Sequence, residues 1–204
     1  MSSYPKEIFK AYDIRGIVGK TLTPEIVEAI GHAIGSEAVA RKQRSVVIGR
    51  DGRLSGPDLS AALARGIQKA GVDVVDVGRV ATPMLYFAAY HLGANSGVMV
   101  TGSHNPPEYN GLKMLLGSET LAGEAIQDLL KRLENDDLTH GEGRYSEYDI
   151  VEEYLNRIVS DLHLQRPLNI VVDCGNGVAG AFAPMLYRRL NCKVRELFCE
   201  VDGT

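Results

Sequence analysis

Ser45-Val46-Val47-Ile48-Gly49-Arg50-Asp51-Gly52-Arg53-Leu54-Ser55-Gly56-Pro57 opens the stretch that decides the fold, and Val72-Asp73-Val74-Val75-Asp76-Val77 closes it. Ser45 to Ile48 is a short apolar run rich in β-branched residues, the composition of a buried strand. The polar glycine loop that follows leads into a helix with Leu59, Leu63 and Ile67 on one face. Gly71 stops that helix, and Val72 to Val77 is the next strand. Strand, turn, helix and strand in this order make a parallel pair joined by a crossover helix.

The alternation continues on both sides. Upstream, Thr23-Pro24-Glu25 is an N-cap, a proline at the first helical position and an acidic first turn, and Ile26, Ile30, Ile34 and Ala38 continue it as an apolar stripe. Downstream, Thr82-Pro83 starts a helix that closes at Gly93, Ser96 to Thr101 is a strand, Leu112 to Leu116 is another, and a helix runs from about Leu121 to Glu134. This order predicts an α/β fold: a three-layer α/β/α domain with a mixed, mostly parallel sheet. The polar stretch Asn135 to Tyr145 reads as a linker and Glu147 to Leu162 as a helix. A second strand–turn–helix–strand unit then repeats the layout of Val46 to Val77, with Leu168 to Val172, Asp173-Cys174-Gly175-Asn176-Gly177, a helix kinked near Pro184, and Cys192 to Phe198. One strand pair cannot close a second core. The expected division is therefore a domain over residues 1–148 and an incomplete, truncated second domain of similar type over 149–204, with Ile170, Val171, Val172, Leu197 and Phe198 partly exposed and the chain open to self-association.

Composition narrows the class. The 204 residues are 45% hydrophobic and 24% charged, a globular balance with material for a core. A net charge of −4 argues against a nucleic-acid partner, which calls for a concentrated basic surface. No apolar run reaches the length of a membrane span, so no membrane partner is expected. Cys174, Cys192 and Cys199 form an odd set without a C-x-x-C pair and read as thiols of a reducing compartment, which points to the cytoplasm.

Chemistry concentrates in Val98-Met99-Val100-Thr101-Gly102-Ser103-His104-Asn105-Pro106. Here a hydroxyl sits just past the carboxyl end of a buried strand, where open parallel sheets place their ligand crevices. Gly102 permits close backbone approach, His104 and Asn105 supply polar groups, and Lys113 follows ten residues on. That set suits phosphoryl transfer, in which positioning and charge neutralisation carry most of the work. A polar turn with Ser and Asn as turn residues is the competing reading. A serine hydrolase is disfavoured because no Gly-x-Ser-x-Gly elbow is present.

Thr101-Gly102-Ser103-His104-Asn105-Pro106-Pro107-Glu108-Tyr109-Asn110-Gly111-Leu112-Lys113 resembles the active-serine segment of the α-D-phosphohexomutase superfamily. Phe9-Lys10-Ala11-Tyr12-Asp13-Ile14-Arg15-Gly16 and Ile48-Gly49-Arg50-Asp51-Gly52-Arg53 are similar to its opening segments, and Asp173-Cys174-Gly175-Asn176-Gly177 to the start of its second domain. Within the superfamily the likeness is greatest to the bacterial phosphomannomutase/phosphoglucomutase group. The resemblance implies an isomerase that interconverts hexose 1-phosphate and 6-phosphate of mannose and glucose. A phosphate on Ser103 passes to the sugar, and a hexose 1,6-bisphosphate intermediate reorients and returns its other phosphate to the serine. It further implies His104, Lys113 and Arg15 as catalytic residues, Tyr12 and Asn105 as phosphate- and substrate-side residues, and Mg2+ as cofactor, bound to Ser103 through its phosphate. The family's aspartate-rich metal loop, sugar-recognition loop and C-terminal phosphate loop are not found here and are expected beyond Thr204, so that this chain alone should turn over poorly. Phosphoglucosamine mutase is the alternative enzyme, although that group usually carries alanine where Gly102 stands. A non-catalytic module binding a sugar phosphate or a partner is the alternative of another class.

Other features have plainer readings. For Arg15 the alternative to a phosphate-side cation is an ion pair with Asp13. Gly49-x-x-Gly52 and Gly175-x-Gly177 are strand-to-helix turns, although Arg50 and Arg53 could face the cleft. His32, His91 and His163 are not expected to be ligands, Tyr86, Phe87 and Tyr90 read as packing, and Glu134, Asp136 and Asp137 as solvated surface.

Overall fold

The computed structural model describes residues 4–204. The central sheet uses β1 (Ile14–Ile17), β2 (Ser45–Arg50), β3 (Asp73–Arg79), β4 (Gly97–Val100), β5 (Tyr109–Leu116), β6 (Glu119–Thr120) and β7 (Tyr145–Glu147). The order is β1-β5-β4-β2-β3-β7, with β6 paired to β5. β5 alone opposes the common strand direction, since β2, β3, β4 and β7 pair in parallel while β1, β4 and β6 each run antiparallel to β5. The helices are α1 (Pro24–Ala40), α2 (Gly56–Lys69), α3 (Thr82–His91), α4 (Glu124–Glu134) and α5 (Val151–Asp161).

Strand alternation sorts the side chains into two cores. Val46, Ile48, Val98, Val100, Leu112 and Met114 pack under α1, α2 and α4. Val47, Met99 and Leu115 face the other way, onto Met84, Leu85 and Ala88 of α3, and Ile150 just before α5 joins them. The expected three-layer arrangement follows. As read from the capping signal, Thr23 Oγ1 accepts from the Ile26 amide at 3.4 Å and α1 starts at Pro24.

Helices α1 and α2 touch through glycine. A Cβ on Gly66 would lie 2.0 Å from the Glu28 carbonyl oxygen, and one on Gly31 2.6 Å from that of Leu63. Both obstacles are backbone, so a methyl group can be accommodated only by moving the helices apart. Gly66→Ala is therefore expected to destabilise the domain by about 3 kcal/mol, at the upper end of ordinary overpacking. Urea denaturation checks this, and a loss below about 1 kcal/mol contradicts the close packing.

The stretch read as a linker is docked against the first domain. The Gly141 amide donates to the Lys69 carbonyl at 2.8 Å and the Gly143 amide to that of Gln68 at 2.9 Å. The Thr139 amide donates to Ser36 Oγ at 2.9 Å, and Arg144 pairs with Asp73 at 2.7 Å. Tyr145–Glu147 then forms edge strand β7 beside β3, in place of the expected helix start. Polarity misled here because the segment is held mainly by hydrogen bonds and an ion pair to distant parts of the domain. β1 was also not anticipated: a four-residue strand containing Gly16 gives little periodic signal, and its partner Gly111 lets it come so close that a Cβ there would lie 2.3 Å from the Ile14 carbonyl oxygen.

The second unit repeats the β2–α2–β3 layout. β8 (Asn169–Asp173) and β9 (Lys193–Leu197) pair in parallel with Asn169 opposite Lys193, connected by a 3-10 turn over Val178–Ala181 and by α6 (Ala183–Arg189). Phe182 packs into the α3-side core, and Phe87 meets Tyr154 of α5 edge-on at 5.5 Å. Val171 and Phe198 are 61% and 63% exposed, as read from the chain, while Ile170 and Val172 are half-buried. Cys174 and Cys199 lie with their sulfurs 3.5 Å apart. Burial, then the Cys199 contact, pushes the Cys174 thiol up to about 11. Because the raised value favours the protonated folded form, its contribution to stability is complete below the usual thiol range and is lost as pH rises toward 11. Iodoacetamide should accordingly alkylate Cys174 more slowly than an unperturbed thiol at pH 8, and peptide mass mapping reads the rate. An ordinary rate contradicts the burial.

Candidate active site

Sheet order positions the site. From β2 the chain crosses to β3 on one side, while β4 returns to β2's other side, so the carboxyl ends of β2 and β4 form a topological switch point. Arg50 is in register with Val100, and the residues that follow these strands, Asp51 and Thr101, therefore emerge side by side. One Asp51 oxygen accepts from Thr101 Oγ1 at 2.8 Å and from the Gly102 amide at 3.1 Å, and its other oxygen accepts from the Arg53 amide at 3.0 Å. The Ser103 amide donates to Thr101 Oγ1 at 2.9 Å.

Ser103 itself is exposed with φ +53°. A serine gains nothing intrinsically from the left-handed region, so the turn holds it there at a cost of order 1 kcal/mol or more, a form of strain that concentrates at functional sites. Asn105 supports the turn, with both its amide and Nδ2 donating to the Gly102 carbonyl at 3.1 Å. The serine opens onto a cleft of about 450 Å³ whose wall includes Asp51, Arg53, Ser103, His104, Asn105 and Lys113. Asn176, Gly177 and Val178, past β8, and Asp202 to Thr204 form the facing wall. Lys113 reaches it from β5, on the strand face that carries Leu115, and among the described residues its ammonium has no ion pair or hydrogen bond. His104 is exposed on the same wall.

Arg15 reaches the serine turn and also makes the ion pair that was its alternative reading. Its guanidinium donates to Asp13 Oδ2 from Nε at 3.1 Å and Nη2 at 2.5 Å, and to the Gly102 carbonyl from Nη1 at 2.6 Å. The ion pair with Asp13 is thus formed, and the remaining arm holds the serine turn at the Gly102 carbonyl. Tyr12 is 79% exposed and stands off the cleft wall. Arg50 turns to the opposite side of β2's end, 3.5 Å from Asp76, whose other oxygen accepts from the Tyr145 hydroxyl at 2.9 Å. Burial and this bond raise the Tyr145 hydroxyl pKa. Of the two arginines in that loop, only Arg53 faces Ser103. Asp51, Asn176 and Asp202 escaped the sequence reading. Asp51 carried one usable signal, an acidic residue directly after a buried strand; the other two depend on how the second unit docks. Two of the histidines read as non-ligands make other contacts: His32 Nε2 meets the Thr139 carbonyl at 2.7 Å, and His91 stacks on Phe87.

For a divalent cation the donor set is insufficient. No group of three metal-ligating His, Cys, Asp or Glu side chains exists among the described residues, and Asp51 is already committed to Thr101, Gly102 and Arg53. The residues present do not by themselves fit a magnesium cage.

Residues 6–140 match the family described as phosphoglucomutase/phosphomannomutase, alpha/beta/alpha domain I. The chain belongs to this family. Phosphoglucomutase of Neisseria meningitidis serogroup B is 56% identical over 206 residues, covering 100% of this chain and 45% of the relative. Phosphomannomutase/phosphoglucomutase of Pseudomonas aeruginosa is 54% identical over 199 residues, covering 98% and 43% respectively. A crystal structure of a phosphoglucomutase/phosphomannomutase family protein from Burkholderia thailandensis superposes with a TM-score of 0.94 at 50% identity, over 98% of this chain and 46% of its own. The chain thus spans a little under half the length of these relatives. No helix among the described residues is long and apolar enough to cross a membrane.

Proposed function

We propose that this chain carries the phosphoryl-bearing half of a hexose-phosphate mutase, with Ser103 as the residue that holds and transfers the phosphoryl group. The observation that carries the reading is Ser103 held in the left-handed region at the switch point, exposed to a cleft that Lys113 enters without a partner. In the forward step the P–Oγ bond of phosphorylated Ser103 breaks and a P–O bond forms to a hydroxyl of a bound hexose phosphate, whose proton passes through a base or solvent to the departing Oγ. The product is a hexose 1,6-bisphosphate, and return of its other phosphate to Oγ completes the isomerisation. Lys113 offsets charge on the transferring group, and Asn105 keeps the turn in shape. His104, exposed on the same cleft wall, is assigned as a donor to the phosphoryl oxygens. Mannose and glucose phosphates are the proposed substrates, and the proposed compartment is the cytoplasm. A magnesium ion, if its ligands come from residues outside this chain, would supply further charge neutralisation; no step above is routed through it.

Gly102 bears on the alternative substrate. A Cβ there would lie 2.1 Å from Arg53 Cζ and Nε, so an alanine at this position requires a differently placed arginine. That favours the phosphomannomutase/phosphoglucomutase reading over phosphoglucosamine mutase. The domain division at residue 148 and association of chains through Val171 and Phe198 belong to the same proposal. Intact-mass measurement after expression tests it: an added phosphate is expected on the wild-type chain and not on Ser103→Ala. Phosphate that survives the substitution assigns the carrier elsewhere and defeats the proposal.

A further inference from the structure

Arg53 makes more contacts with the serine turn than any residue expected to do chemistry there. Nη1 donates to the carbonyls of Pro106 at 2.7 Å and Tyr109 at 2.9 Å, and Nη2 to those of Asn105 at 2.5 Å and Ser103 at 3.3 Å. Four carbonyls on one side of the turn therefore converge on a single guanidinium, which is largely buried. The start of the turn is tied to Asp51, whose Oδ2 also lies 3.6 Å from Arg53 Nε. Gly102 completes the seat, because the three atoms nearest to a Cβ there all belong to Arg53.

We infer that Arg53 is a positioning residue that fixes the serine turn in its reactive shape, acting through backbone carbonyls and not through the substrate. The inference rests on the proposal that Ser103 carries the phosphoryl group. Every donor of the guanidinium that faces the turn is spent on protein carbonyls, so Arg53 is a poor candidate for a phosphate-binding cation. A planar fork with five donors can span four carbonyls, whereas a lysine ammonium is a compact point donor with three. Loosening the turn would let Ser103 leave the left-handed region and misplace Oγ. Misplacement on the scale of an ångström costs a reacting group about a hundredfold.

The test uses Arg53→Ala, Arg53→Lys, Gly102→Ala and the Arg53→Ala/Gly102→Ala double variant. Turnover is measured in the protein at the relatives' full length, and amide hydrogen exchange in the same samples. Arg53→Ala should lower kcat by about a hundredfold with KM within about threefold, and should speed exchange at the amides of Ser103, Asn105 and Tyr109. Arg53→Lys should recover only part of kcat. Gly102→Ala should copy the arginine defect by unseating the guanidinium, and the double variant should be no worse than Arg53→Ala alone. Unchanged exchange, a loss confined to KM, or additive losses in the double variant would overturn the inference. Should Arg53→Ala fail to fold, Gly102→Ala keeps every side chain and decides alone by the same exchange and kcat readings. Exchange reads the clamp whether or not Ser103 reacts, so persistent turnover in Ser103→Ala would count against the phosphoryl-carrier proposal separately.

Discussion

Ser103→Ala, in a protein of the relatives' full length, is expected to lower mutase turnover by about a thousandfold or more while leaving the fold intact. Ser103 is exposed, and its side-chain hydroxyl has no hydrogen-bond partner among the described residues, so its removal creates no cavity and orphans no buried group. What is lost is the covalent carrier that divides one difficult transfer between two sugar positions into two easier ones. Steady-state kinetics alongside a thermal melt checks both halves of the expectation. Near-wild-type turnover contradicts the assignment of Ser103, and a collapsed melting temperature would show that the serine is structural.

Lys113→Ala is expected to lower kcat by about a hundredfold to a thousandfold, the range for removal of one preorganised charge-stabilising donor. Lys113 extends from the middle of β5, in register with Met99 of the neighbouring strand, so its stem is fixed by the sheet. Its ammonium has no carboxylate partner among the described residues, which leaves its charge available to a phosphoryl group. The substitution should therefore cost little stability. Lys113→Arg should recover less than half of the lost activity, because a broader guanidinium on the same strand cannot occupy the same point. Full activity in Lys113→Ala would remove it from the site.

The sheet and its helices were largely legible because their signals are local. Thr23-Pro24-Glu25 marks α1 by its cap, Ser45–Ile48 marks β2 by its β-branched run, and Gly71, with φ +85°, marks the end of the first crossover. Ser103 was legible for a different reason, since a hydroxyl after an apolar strand is visible in the chain before any partner is known. What could not be read locally lies in pairs that only the sheet order creates. Asp51 and Thr101 are fifty residues apart and meet because β2 and β4 are neighbours. Arg53 looked equivalent to Arg50, yet Arg50 ends β2 and pairs with Asp76, while Arg53 lies in the turn beyond the strand and reaches Ser103. The docking of residues 139–147 escaped for the same reason, because its anchors, backbone groups of α2 and β3 together with the side chains of Ser36 and Asp73, lie far away in the chain. Arg15 was legible from the motif alone, and the fold brings its guanidinium onto the Gly102 carbonyl beside Ser103, while Tyr12 stays exposed.

Transfer of label from the serine tests the central claim most directly. A full-length protein carrying radioactive phosphate on Ser103 is mixed with unlabelled glucose 1-phosphate or mannose 1-phosphate and quenched through a single turnover. Label should leave the protein and appear in hexose bisphosphate at a rate no slower than kcat. Label that stays on Ser103 while hexose 6-phosphate accumulates would contradict a serine-carried phosphoryl group.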